Sequence, residues 1–282
     1  MTVEVKSIER TGRLVVSMPH VGHALPKAVR EQLSRRSDGL SDADWHVDRL
    51  YDFLEAEKAS ELMATWSRWV IDLNRPPEGT SLYPGQATTG LCPGETFLGL
   101  PLYETGHEPG NDEVELRLRS YWRPYHDRLE ALIAAAKARH GTAVVVDAHS
   151  IVSTCPRLFD GRLPDINIGT HDGGSCDPAL QRVVEDVLRA QTRFDWVING
   201  RFKGGYITRH YGRPPNGVHA VQIELAQSAY MDEAHPSRWD DARAAPLRAV
   251  LRDVIAAINA WSAATPAVDC PAPSGIHGGG SS

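Results

Sequence analysis

Three short apolar runs in this chain each break off at a polar, reactive residue, and that pattern limits the folds open to it. Residues 14–18 lead into Pro19 and His20, residues 142–146 into Asp147, Ala148 and His149, and residues 219–223 into Glu224. Runs of this length, bounded by such breaks, read as buried strands. Residues 69–73 and 196–199 read as two more. Helical stretches lie between them. From Asp112 to His140, Val114, Leu116, Leu118, Tyr121, Tyr125, Leu129, Leu132 and Ile133 recur at helical spacing, and Pro124 is expected to kink or divide that helix. Residues 178–191, opened by Asp177 as N-cap with proline in the first turn, and residues 242–261 read as two further helices. Strands alternating with helices predict an α/β fold, a single-domain three-layer αβα sandwich around a mixed, largely parallel sheet. Such sheets bind ligands beyond the carboxyl ends of their strands. His20, His149 and Glu224 are therefore expected on one rim.

One domain is expected over residues 1–263. Residues 264–282, rich in Ala, Pro, Gly and Ser with little to bury, are expected to be a disordered tail. Thirty Lys and Arg against 36 Asp and Glu give a net charge of −6, which argues against nucleic acid or an anionic membrane as a partner. No apolar run approaches the ~20 residues of a membrane span. The opening MTVEVKSIERTGR has no apolar signal core, and the cysteines (Cys92, Cys155, Cys176, Cys270) form no CxxC pair. A reduced, cytoplasmic setting is expected, with neither a disulfide framework nor a cysteine zinc site.

Histidine and carboxylate side chains suit zinc, and a catalytic zinc takes three protein ligands while leaving one position for water. His20 and His149 offer two nitrogens. Residues 42–50 supply Asp42, Asp44 and Asp48 as carboxylates, with His46 as a nitrogen alternative. The spacing of Val47, Leu50 and Leu54 sets Asp48 in the first turns of a helix, from which it could project toward the rim. His23 stands three residues after His20, but on a loop with Gly22 and Pro26, where that spacing carries little. Asp147 either caps a turn or holds the ring of a nearby histidine. Asn74 and Arg75 follow an apolar run, and the arginine fork matches a carboxylate. Residues 204–212 mix glycines, aromatics and Arg209, and read either as a loop approaching a ligand or as a surface hairpin. His126 reads either as a donor to the substrate or as a helix residue packed at the surface.

Seven segments then occur in one order: SMPHVG from Ser17, DWHVDRLY from Asp44, DLNRPP from Asp72, DAHS from Asp147, GYITR from Gly205, QIEL from Gln222 and YMDE from Tyr230. Over about residues 12–260 the chain resembles the N-formylglutamate amidohydrolase (N-formylglutamate deformylase) family. It is more distantly similar to zinc carboxypeptidases and to the aspartoacylase and succinylglutamate desuccinylase group. The resemblance implies a phosphorylase/hydrolase-like, zinc-carboxypeptidase-like sandwich. It implies hydrolysis of N-formyl-L-glutamate to L-glutamate and formate, the last step of a bacterial histidine-degradation route. By the same resemblance, His20 and His149 are zinc ligands, Asn74 and Arg75 hold a substrate carboxylate, and Glu224 is the general base. The distant relatives carry their acidic ligand three residues after the first histidine. Here that position is His23, so the acidic ligand is assigned to Asp48. Arg209 is assigned to the second substrate carboxylate and His126 to the formyl oxygen. The alternatives are a carboxypeptidase-like enzyme cleaving a peptide end, another N-acyl amino acid amidohydrolase, and a binding protein on the same fold. Residues 75–110, rich in Pro and Gly, could close a pocket over a small substrate.

Overall fold

The computed structural model describes residues 5–34, 42–82, 85 and 87–262; the tail expected over residues 264–282 lies outside them. Among the described residues the sheet has seven strands: β1 (Lys6–Ile8), β2 (Leu14–Met18), β3 (Ser60–Met63), β4 (Ala143–Ile151), β5 (Ile166–Gly169), β6 (Trp196–Ile198) and β7 (Val218–Ala226). Their spatial order is β1-β3-β2-β4-β7-β5-β6. The four central strands β3, β2, β4 and β7 run parallel, while β1 and β5 lie antiparallel to their inner neighbours, so the sheet is mixed, as expected.

Strand alternation sorts the two faces. Leu14, Val16 and Met18 join Val144, Val146, Ala148, Val221, Ile223 and Leu225 on one face, under helices α2 (Val47–Leu50), α5 (Pro178–Ala190) and α7 (Asp241–Ala260). Val15, Ala143, Val145, Val218 and Ala220 face the other way, onto α4 (Arg123–His140). The outcome is an αβα sandwich, with a short helix, α1 (Lys27–Gln32), following β2. Continuing the same alternation past the apolar runs puts Asp147, His149, Gln222 and Glu224 on the α4 side. Asp177 caps α5 by accepting from the Ala179 N–H at 2.6 Å, and Asp240 caps α7 from Arg243 at 3.0 Å. No helix among the described residues is long and apolar enough to cross a membrane.

The structure corrects several expectations. His149 and Glu224 do not end their strands: β4 and β7 continue to Ile151 and Ala226, paired throughout with His149 opposite Glu224. Residues 69–73 form no strand. They are buried, but Val70 N bonds Ser67 O and Asp72 N bonds Leu91 O, so turns and a loop take the bonds that a ladder would need. Residues 204–212 are neither loop nor surface hairpin, because residues Tyr206–Tyr211 form a short helix, α6, with Ile207, Thr208 and Tyr211 buried. The long helix divides, as expected: α3 (Asn111–Arg117) passes through a π-helical turn, Leu118–Trp122, into α4, whose first turn holds Pro124. A proline has no N–H to give, and the wider turn absorbs the missing bond.

Candidate active site

Four segments deliver the site. His20 follows β2, Asp44 stands on the turn before α2, His149 lies on β4 and Glu224 lies beside it on β7. The Asp44 N–H donates to the His20 carbonyl at 3.0 Å, so the backbone ties these two residues together. Neighbouring residues of the Asp44 turn are held from behind: Gln227 Nε2 donates to Ala43 O at 3.0 Å and Tyr230 Oη to Trp45 O at 2.6 Å. Asp44 Oδ2 is then 2.9 Å from His149 Nδ1 and 3.6 Å from His20 Nδ1. Among the described residues, His20, Asp44 and His149 form the group whose ligand atoms converge, all within 4.8 Å of one another.

Each imidazole is braced on its far nitrogen by a second carboxylate: His20 Nε2 on Asp72 at 2.7 Å and His149 Nε2 on Asp147 at 2.9 Å. This is how metal-binding histidines are commonly oriented. Asp72 is held in turn by Arg68 at 2.6 Å and by the Asn74 N–H at 2.9 Å. Asp147 takes hydrogen bonds from Asn74 Nδ2 at 3.0 Å and Thr208 Oγ1 at 3.2 Å. His20 Nδ1, facing the convergence, is buried without a hydrogen-bond partner. A buried, unsatisfied nitrogen is costly unless something fills it. Two imidazole nitrogens and a carboxylate, aimed at one point, fit a divalent ion such as zinc.

The charges are strongly coupled. Burial would push Asp44 upward, but His20 and His149 hold it well below the usual carboxylate range. Burial acts against Asp72 in the same way, and Arg68, His20 and Arg75 overcome it. Burial alone would lower His149, yet Asp147 and Asp44 raise it well above an ordinary histidine. Burial dominates at Glu224 and pushes its carboxyl up to about 8, with Asp44 and Asp147 adding to the rise while His149 and Arg68 oppose it.

His20, His149, Asn74, Arg75 and Glu224 line one pocket, as expected, together with Asp44, Arg68, Thr89, Phe97, Arg201 and Gln222. Three assignments do not hold. Asp48 is on α2 but exposed, because Val47 and Leu50 take the buried side of that helix; Asp44 is the acid beside the two histidines. His126 is buried, with Nδ1 on Tyr211 Oη and Nε2 on Leu73 O, both at 2.9 Å, and its ring stacked on Trp122. Both nitrogens are used inside the fold, and burial drives its pKa down to about 3. Arg209 is not among the described residues that line the pocket, and it donates to the Gly204 and Leu82 carbonyls, at 2.8 and 3.1 Å. Asn74 is at the site, but its amide is spent on Asp147 and on the Ile207 N–H, so it braces the site. Arg75 is oriented by Thr89, with Nε on the carbonyl and Nη2 on Oγ1, both at 2.8 Å.

Sequence reasoning gave no role to Arg68, Asp72, Arg201 or Gln222. Asp72 and Gln222 carried a signal, since each lies two residues before a polar site residue. Arg68 and Arg201 carried none, being brought to the pocket by irregular backbone.

Residues 12–231 match the profile of the N-formylglutamate amidohydrolase family. The chain is 50% identical over 260 residues to an N-formylglutamate deformylase of Pseudomonas aeruginosa, covering 92% of this chain and 97% of that protein. It is 47% identical over 250 residues to an N-formylglutamate deformylase of Pseudomonas putida, covering 89% and 93%. The crystal structure of N-formylglutamate amidohydrolase from Ralstonia eutropha JMP134 superposes with a TM-score of 0.75 at 25% identity, over 91% of this chain and 96% of that one. With the family profile matched over residues 12–231 and relatives about half identical over some nine-tenths of its length, the chain belongs to the N-formylglutamate amidohydrolase family.

Proposed function

We propose that this protein hydrolyses N-formyl-L-glutamate to L-glutamate and formate, with one divalent metal ion, zinc by the character of its donors, held by His20, Asp44 and His149. The names of the Pseudomonas relatives support the activity. The observation that carries the reading is one pocket lined by that donor group, by a buried acid, Glu224, and by the orientated fork of Arg75. When bound, such an ion polarises a carbonyl oxygen and makes a water more acidic, toward a pKa of about 7.

The chain's own groups supply the rest. Glu224 accepts a proton from the water that adds to the formyl carbon. It then passes that proton to the amide nitrogen as the C–N bond breaks, leaving formate and the free amine. Positioned proton transfer of this kind contributes roughly 10²–10⁴-fold. Arg75 grips a carboxylate of the substrate through its fork. Arg201, on the pocket wall and oriented by the Leu158 and Ala87 carbonyls at 2.7 and 2.9 Å, is assigned to the second carboxylate in place of Arg209. Ala87, Thr88, Thr89 and Phe97 wall the pocket from within residues 75–110, which suits a small substrate better than an open peptide groove.

The test is a panel of N-formyl, N-acetyl and N-succinyl amino acids and of dipeptides, scored for free amine. Release from N-formylglutamate is expected to dominate, and activity on dipeptides alone would sink the reading. His20→Ala, Asp44→Ala and His149→Ala should each lose metal and activity together, while Asp48→Ala keeps both. Full metal occupancy in Asp44→Ala would remove that ligand. Arg75→Ala should lower kcat/KM by about 10- to 100-fold, as expected for loss of hydrogen bonds to a charged group, with the metal retained.

A further inference from the structure

Gln222 and Glu224 stand two residues apart on β7 and so share a face of the strand. Gln222 is 3% exposed. Its Nε2 donates to Glu224 Oε2 at 3.0 Å, and its Oε1 accepts the Gly205 N–H at 2.7 Å. A backbone N–H can only donate, so the oxygen of the Gln222 amide must face Gly205 and the nitrogen must face Glu224. The orientation is thus set by a group that cannot turn. Among the described residues no other hydrogen bond reaches the Glu224 carboxylate. One of its oxygens is held, and the other is left for the pocket it lines.

Gly205 is the junction of this arrangement. Its φ of −82° is open to any residue, so conformation does not demand glycine there. Space does: a Cβ would lie 2.3 Å from Asn74 Nδ2. The Asn74 amide, pressed against Gly205, braces Asp147, which in turn braces His149. Gly205 therefore has the support of the general base on one side and the support of a metal-site histidine on the other.

We propose that Gln222 is a positioning residue for the Glu224 carboxylate, locked by the Gly205 N–H so that one carboxylate oxygen is fixed and the other is presented to the reacting water. The proposal rests on the reading of Glu224 as the base. Gln222→Met keeps the length and removes both hydrogen bonds. It is expected to lower kcat on N-formylglutamate by about 10- to 100-fold per metal-loaded site, with KM within about twofold and bound metal unchanged. A carboxylate that loses a donor ionises less readily. The acid limb of the kcat/KM profile should accordingly move to higher pH by about half a unit or more, which a loss of packing alone would not cause. Gln222→Asn, a milder change, is too short to span Gly205 and Glu224 together and should fall between Met and wild type. If Met does not fold, this variant decides: a full rate with an unmoved acid limb overturns the proposal. Glu224→Gln separates the two readings. If it is nearly inactive while the Gln222 variants run at full rate, positioning by Gln222 is wrong and the base stands. If Glu224→Gln itself turns over at full rate, both fall.

Discussion

Glu224 and His126 are both buried titratable groups in polar surroundings, and the structure gives them different work. Glu224 has one constrained oxygen and lines the pocket. Glu224→Gln keeps its shape and removes its basicity. It should leave metal bound and lower turnover by at least ~10²-fold; near-normal turnover would exclude it from proton transfer. His126 is sealed by its two hydrogen bonds and its stacking on Trp122. Its pKa falls from 6.5 to about 3, burial being the cause. Unfolding frees it to take a proton below pH 6.5 that the folded chain refuses until far lower pH. Its contribution to stability is therefore complete above pH 6.5 and is lost as pH falls from there toward 3. His23, His46, His171, His210 and His219 are shifted the same way, also by burial first, and add to the slope. His126→Gln should be less stable at pH 8 by about 1–3 kcal/mol for the disturbed buried hydrogen bonds. Its denaturant midpoint should then fall less than that of the wild type between pH 6.5 and 4. Parallel curves would assign the slope to the other histidines.

At the scale of elements, the π-helical turn before α4 has a visible effect. It brings Trp122 onto the segment that carries Arg75. Three successive carbonyls there are each taken by a different element: Leu73 by His126 of α4, Asn74 by the Tyr206 N–H of α6, and Arg75 by Trp122 Nε1 at 3.0 Å. Removing one such bond costs about 0.5–1.5 kcal/mol. Trp122→Phe should thus raise KM for N-formylglutamate by roughly 2- to 10-fold at constant metal content, and an unchanged KM would show that Thr89 alone orients Arg75. These elements also mark where sequence reading works and where it stops. The strand leading to His20 and those through His149 and Glu224 were legible because a buried parallel strand is a run of apolar residues, and alternation then carries the register onward. Residues 69–73 looked the same and are not a strand, because burial fixes apolarity while the hydrogen-bond partners fix the element. β3, with Glu61 in its middle, offered no such run. Asp42, Asp44 and Asp48 were equal candidates by composition, and the spacing of Val47, Leu50 and Leu54 tipped the choice to Asp48. Only the exposure of one side of a four-residue helix separates Asp48 from Asp44, and no periodicity is defined over so short a span.

The whole molecule binds its ligands through a network of charge, and this gives a thermodynamic signature to loading. In the chain without metal, His149 lies between Asp44 and Asp147, which raise its pKa well above an ordinary histidine's. Metal and proton compete for that site, and binding must release the proton. Since Glu224, pushed up to about 8, is a second source of a proton, the test uses apo Glu224→Gln: titration with zinc in buffers of different ionisation enthalpy should show about one proton released near neutral pH, with apparent affinity rising with pH. No proton release would mean that His149 enters neutral. The strand order has a consequence of another kind. β7, the last strand in chain order among the described residues, is not at an edge: it lies between β4 and β5, both made long before it. A nascent chain that stops short of residue 218 has a slot in the middle of its sheet, with two unsatisfied strand edges facing each other across it. Only insertion of β7 closes the slot, and the same event brings Glu224 opposite His149. Copies truncated before residue 218 are therefore expected to be inactive and to aggregate, which activity and light-scattering measurements on such a truncation would check.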